Sequence, residues 1–280
     1  MEKTGVQEFT IPPDMDLPDM NAICLHNKSR IEAFLRKNVY LHIYSIGDLD
    51  DFFWPDTVWY GWEKEGEIQA VALLYTASQE PTLLAVSEQE DVMWELVRSI
   101  FHILPDRFYA HLSPRVAEAV EQQCKVKSYG KHYKMGMKNA LHLHNIDCSR
   151  VIRLTENDLD DMLGLYKEGY PKNWFDARML QTKQYFGLRL KNRLVSVAGI
   201  HVYSEKYKVA ALGNIATHPD YRGNSFGKAV TARLCLSLAE NVDNIGLNVK
   251  ADNVAAVAMY RKLGFEIVGT YFELMVLSHP

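Results

Sequence analysis

Residues 215–229 read Ile-Ala-Thr-His-Pro-Asp-Tyr-Arg-Gly-Asn-Ser-Phe-Gly-Lys-Ala and hold the residue types with the clearest chemistry in the chain. Their order predicts a short buried strand, a proline-closed turn, a glycine-bearing loop and the start of a helix. The first backbone N–H groups of a helix have no partner within it, and the helix dipole adds partial positive charge at that end. Arg222 and Lys228 add full charges. Such a junction is a seat for a pyrophosphate, so the segment predicts a phosphate-bearing ligand. It has neither the G-x-x-x-x-G-K-[ST] spacing of a triphosphate loop nor the dinucleotide spacing G-x-G-x-x-G.

A second block, residues 247–265, reads as a strand followed by a helix. Asn253 suits the N-cap of that helix and Gly264 the residue just beyond its end. Asn253 and Tyr260 are separated by about two helical turns, so they share a face. Together the two blocks resemble the GNAT superfamily of acyl-CoA-dependent N-acetyltransferases. The loop pattern V-x-P-x-[YF]-[RQ]-x-x-G-x-[GA] is met at Thr217, Pro219, Tyr221, Arg222 and Gly227, and N-x-x-A-x-x-x-Y-x-x-x-G-F at Asn253, Ala256, Tyr260, Gly264 and Phe265. Ser225 stands where the family has its first loop glycine. That replacement counts against the loop only if the position requires a positive φ.

In the family, the fourth and fifth strands run parallel and splay apart, and acyl-CoA slots between them. The resemblance implies that Ile215, Ala216 and Thr217 line the pantetheine, with the Ile215 and Thr217 backbones pairing to it. It places the pyrophosphate on Arg222, Gly223, Asn224, Ser225, Phe226, Gly227 and Lys228, and the CoA arm against Asn253. The implied reaction is direct transfer from acetyl-CoA, or another acyl-CoA, to a primary amine of a small molecule or amino acid, with no metal. Tyr260 matches the general acid for the leaving thiolate, and an ordinary tyrosine pKa of about 10 suits that role. A strand-four N–H would stabilise the oxyanion, and positioning would supply much of the acceleration. Many members place a Glu on strand four, but residues 210–215 carry no carboxylate. His201, on the neighbouring strand, is the first choice for general base because histidine titrates near neutral pH; Glu168 and His218 are the alternatives. Trp174 or Phe175, after the first helix of this half, would wall the acceptor. The missing carboxylate favours a different reading, a non-catalytic acyl-CoA-binding or interaction module. A longer acyl donor or an alcohol acceptor is a third.

The elements that must position these residues follow from pattern. Alternation and turn signals predict strands over 57–62 and 68–76 joined at Glu65-Gly66, then 83–86, 107–112 and 133–137. Apolar periodicity predicts helices over 28–40, 91–104 and 114–123. The order repeats: strands over 151–154, 185–190, 194–203, 209–217, 245–249, 265–268 and 271–277, and helices over 157–168, 177–183, 226–239 and from Asn253. Gly61, Val71 and Ala72 share their internal spacing with Gly187, Val197 and Ala198. The first half lacks the phosphate loop, and Glu88, Glu90 and Asp91 there would repel phosphate. The expected organisation is an extended segment 1–20, a degenerate GNAT-like domain 21–145 and a catalytic GNAT domain 146–280. The fold class is α/β, a mixed, mostly antiparallel sheet with flanking helices, α+β in some schemes.

Composition agrees with a packed protein: 280 residues, 48% hydrophobic, with no apolar run of membrane-spanning length. The four cysteines form no C-x-x-C pair, and the N-terminus shows no signal-peptide core, which predicts a cytoplasmic protein with reduced thiols. Residues 1–145 hold 14 basic and 21 acidic side chains, and residues 146–280 hold 17 and 14. The cationic half is the half with the phosphate seat, which suits a polyanionic small ligand and not nucleic acid. His142 and His144 alternate in a segment read as extended, with no third ligand for a metal. The sequence is silent on oligomeric state.

Overall fold

The computed structural model describes residues 21–171, 173 and 175–278; the expected extended segment 1–20 and Trp174 lie outside them. The first half runs β1 (Asn21–Cys24), α1 (Lys28–Leu35), α2 (Ile43–Gly47), β2 (Thr57–Lys64), β3 (Glu67–Tyr75), β4 (Thr82–Ala85), α3 (Glu90–Ile100), β5 (Phe108–Leu112), α4 (Pro114–Gln123) and β6 (Lys125–Met137). After a 3-10 turn over Leu141–Asn145 the order returns as β7 (Val151–Arg153), α5 (Leu159–Gly169), β8 (Phe186–Leu190), β9 (Arg193–Ser204), β10 (Val209–Thr217), α6 (Phe226–Leu238), β11 (Asn244–Lys250), α7 (Val254–Lys262) and β12 (Phe265–Ser278). His142 and His144 therefore sit in a single helical turn, not in an extended segment. Among the described residues no helix is long and apolar enough to cross a membrane, and no group of acidic, His and Cys side chains could hold a metal.

All strands join one mixed, mostly antiparallel sheet of 12, ordered β1-β2-β3-β4-β5-β12-β6-β11-β10-β9-β8-β7. The order shows an exchange that the sequence pattern missed. β6, from the first half, lies between β11 and β12; β12, from the second, lies between β5 and β6. The expected strand over 133–137 is the end of a 13-residue strand, and the two expected closing strands are one, bent at three register shifts. The division at 145/146 thus falls on the connecting turn, but each half completes its sheet with the other's last strand.

Among the described residues, three large apolar clusters hold the layers, beside a small one of Leu41, Val86 and Tyr271. One packs α5 and α6 against the second half's strands, and another packs α3 and α4 against the first half's. The third joins the halves: Ile31, Leu35, Ile43, Ile46 and Leu49 of the α1–α2 segment pack with Trp59, Ile68, Val71 and Leu73 on one side and Val202, Val209 and Ala211 on the other. Helices this short do not hold themselves in water. Five buried aliphatic side chains, at about 2 kcal/mol each, fix the segment between the halves.

Candidate active site

The parallel pair β10–β11 is in register from Val209↔Asn244 to Leu212↔Leu247 and goes no further. Beyond that point the strands open. β10 also departs from β9, whose register shifts between Gly213 and Ala216. Asn214 lies inside this bulge at φ +53, and its side chain donates to the Tyr185 hydroxyl at 3.1 Å while its carbonyl accepts from Tyr166 Oη at 3.0 Å. The left-handed conformation is one Asn tolerates, and buried partners lock it. The matching pair in the first half is closed. β4 and β5 pair from Thr82↔Tyr109 to Ala85↔Leu112, and the Ser113 N–H and hydroxyl continue the seam to Ala85 and Ser87.

The open wedge leads to the turn at Pro219–Tyr221 and the N-terminus of the 13-residue helix α6. Two residues here have positive φ, Gly223 at +82 and Ser225 at +61. Position 225 is therefore one that favours glycine. Its hydroxyl makes no capping hydrogen bond. A Cβ on Gly227 would come within 3.1 Å of Thr217 Oγ1, so glycine keeps the helix start close to the strand end. Arg222 braces the loop from within: Nε donates to Thr217 O at 3.3 Å and Nη2 to Gly169 O at 3.1 Å, which ties the strand end to the end of α5.

Wedge and loop open into a cavity of about 2130 Å³. Residues 215–217, 222, 223 and 225–228 line it, with Asn253, Tyr260 and His201. Asn224 does not; its Nδ2 donates to the Tyr221 and Arg222 carbonyls at 3.1 and 3.3 Å, so its side chain serves the turn. Asn253 caps α7 by accepting from Ala256 N at 3.2 Å, and Gly264 follows that helix at φ +91. The Tyr260 hydroxyl has no hydrogen-bond partner among the described residues, and burial pushes its pKa well above the ordinary value, so it is protonated at neutral pH but a weaker acid than an ordinary tyrosine. Asn248, where β11 leaves β10, also lines the cavity, and its buried Oδ1 is without a partner among the described residues.

The three histidine and glutamate alternatives separate. Glu168 and His218 are not in the cavity wall. His218 Nδ1 accepts from Asp220 N at 3.2 Å, and its Nε2 lies 2.7 Å from Glu168 and 2.8 Å from Arg193 Nη2, which is itself 3.1 Å from both Glu168 oxygens. That is a surface network bracing the loop. His201 does line the cavity, packed over Gly213 and 6.3 Å from the Tyr44 ring, and burial lowers its pKa to about 4. It is a neutral imidazole at physiological pH. Phe175 packs on Tyr166 and Tyr185, behind the Asn214 bulge.

The opposite wall comes from the first half and from β12, and sequence reasoning missed it. Glu273 accepts from Tyr109 and from Tyr271 at 2.7 Å, with His132 Nε2 at 3.3 Å and His111 Nε2 at 3.5 Å. The histidines and tyrosines hold its carboxyl below the usual value against the burial that would raise it. This cluster stitches β5, β6 and β12 across the strand exchange. A single Glu in an apolar strand was the only signal for it. Asp48, just after α2, is a second buried acid in the wall.

Residues 147–265 match the acetyltransferase (GNAT) family model. A mycothiol acetyltransferase of Clavibacter michiganensis is 31% identical over 114 residues, 40% of this chain and 33% of that one. The chain spans about a third of the length of the curated relatives it matches. Among solved structures, a Drosophila protein aligns over 91% of this chain and 98% of its own with TM-score 0.67 at 9% identity. A tandem GNAT protein from the clavulanic acid biosynthesis pathway aligns over 94% and 98% with TM-score 0.51 at 11% identity. The chain shares its overall fold with both of these structures.

Proposed function

We propose, for a chain whose residues 147–265 match the GNAT acetyltransferase family, that it moves an acetyl or other short acyl group from acyl-CoA to a primary amine of a small molecule or amino acid. One observation carries the reading: β10 and β11 part at Leu212/Leu247 into a cavity that also holds the α6 N-terminus and the Tyr260 hydroxyl. The residues suit an acyl-CoA. The N–H groups at the start of α6, with Lys228, suit the pyrophosphate. The pantetheine is an amide chain, and the orphaned Asn248 Oδ1 is an acceptor for one of its N–H groups. The closed β4–β5 seam supports a single acyl-CoA site, with the first half contributing a wall.

Bound acyl-CoA would supply the activated thioester. The Tyr260 phenol, kept protonated by burial, gives its proton to the departing thiolate. Backbone N–H groups at the Asn214 bulge, where the β9 register breaks between Gly213 and Ala216, would serve the developing oxyanion. His201, neutral and lining the cavity, can relay the acceptor's proton, though its low basicity makes it a poor final sink. The absence of a carboxylate on β10 favours the non-catalytic reading of the same cavity, and one assay separates the two. Thiol release from acetyl-CoA is followed with a panel of amines. Tyr260→Phe is expected to lower turnover by about 10²-fold while the KM for acetyl-CoA stays within about twofold. Unchanged turnover removes the general-acid role; CoA binding without release for any amine supports the non-catalytic module.

A further inference from the structure

Gly47, the last residue of α2, approaches β9 so closely that a Cβ would sit 1.8 Å from Val202 Cγ1. This contact sets the next residue, Asp48, in the cavity wall at 6% exposure. Its carboxylate has no hydrogen-bond or ion-pair partner among the described residues, and its oxygens keep some accessible surface in the cavity wall. Other acids nearby are accounted for. Glu273 is held by two tyrosines and two histidines, Glu168 by Arg193 and His218, and Asp50 accepts from Ser204 Oγ at 2.5 Å. An unpartnered buried carboxylate costs several kcal/mol and does nothing for the fold. Burial raises its pKa to about 8, as expected for an acid waiting for a counter-charge. Aromatic rings share the wall: Tyr44, Phe53, Tyr75 and Tyr170. A carboxylate among aromatic faces is the chemistry of an organic ammonium site.

We propose that Asp48 receives the ammonium group of the acyl acceptor, a small organic primary amine whose body lies against Tyr44, Phe53 and Tyr75. The inference rests on the acyltransferase reading of the same cavity. The first half then supplies acceptor recognition, and the second half the acyl-CoA seat. Ammonium binding draws Asp48 into its ionised form, so the carboxyl proton leaves to solvent as the amine binds.

The test uses the full chain saturated with CoA, titrated calorimetrically with tyramine, putrescine and glycine ethyl ester, and with tyrosol as the neutral analogue of tyramine. At least one amine is expected to bind the wild type with proton release at pH 7, measured in buffers of different ionisation enthalpy. Asp48→Asn is expected to weaken that amine at least tenfold, abolish the proton release, leave CoA binding unchanged and keep or raise the thermal midpoint. Tyrosol is expected to bind both proteins equally. Equal amine affinity in the two proteins overturns the proposal, and so does a wild type that binds no amine. Amine binding that depends on Asp48 without acyl transfer keeps the site and rejects the acyltransferase reading. Transfer whose amine KM ignores Asp48→Asn does the reverse.

Discussion

At the scale of single residues, Ser225 shows what the loop's geometry costs. Its φ of +61 puts a side chain where glycine is unstrained. Ser225→Gly is expected to raise stability by about 1 kcal/mol, measured by denaturant unfolding, with CoA affinity equal or tighter. A loss of stability would mean that the serine contributes something its geometry does not reveal. Buried titrating groups shape pH dependence. Burial lowers His42, His111 and His201 to about 3, 4 and 4 from 6.5, so the unfolded chain binds more protons between those values. Their contribution is full above pH 6.5 and is lost as pH falls toward 4. Asp48 runs the other way. With its pKa raised from 3.8 to about 8, the folded state holds the extra proton, and stability is lost as pH rises through that window. Of these four groups only Asp48 acts between pH 6.5 and 8. The thermal midpoint is expected to decline over that interval, and Asp48→Asn to abolish the decline and gain about 1 kcal/mol or more at its upper end. A calorimetric scan at each pH checks it; the same decline in the variant would assign it to another group.

At the scale of elements, the N-cap of α7 joins helix stability to the cavity wall. Asn253 caps the helix through Ala256 N and lines the cavity with the same short side chain. Asn253→Ala is expected to cost about 1 kcal/mol of stability and to weaken CoA binding several-fold. Asn253→Ser should restore most of the stability; if it restores CoA affinity equally, the cap and not a direct contact is what CoA binding needs. The bulge in β10 has the same economy. Asn214 has no acidic group to offer catalysis, but its hydrogen bonds with Tyr166, Tyr185 and the Ile200 carbonyl of β9 fix the bulge at the wedge.

At the scale of the molecule, the exchanged strands make two repeats into one folding unit. β6 pairs with both β11 and β12, so the second half expressed alone exposes both of those edges. Residues 146–280 alone are expected to be insoluble or molten, while the full chain unfolds in one cooperative step followed by circular dichroism and calorimetry. A monomeric, cooperatively folding fragment 146–280 would show that β6 is dispensable. The exchange also brings Glu273 beside His111 and His132, in the wall of the cavity reached by Tyr260.

Local signals carried far in this chain. The turn and loop before α6, the Asn253 cap, Gly264 past the helix end and the hairpin at Glu65-Gly66 depend on neighbours a few residues away, and pattern alone located them. The β10 strand was legible to its boundaries, Val209–Thr217. What no local signal encoded was the partner of each strand edge and the far wall of the cavity. Neither β6 nor β12 carries a local signal for its neighbours, so which strand each pairs with depends on how both halves close together. Asp48 lies far in sequence from Tyr260, Glu273 sits on the next element along the chain, and both line its cavity only through packing of α2 and the strand exchange. The sequence by itself determined the loop that leads into α6 and the helix that carries Tyr260. The tertiary structure alone decided which acids face them, because burial and the missing counter-charge belong to the assembled cavity and not to any segment.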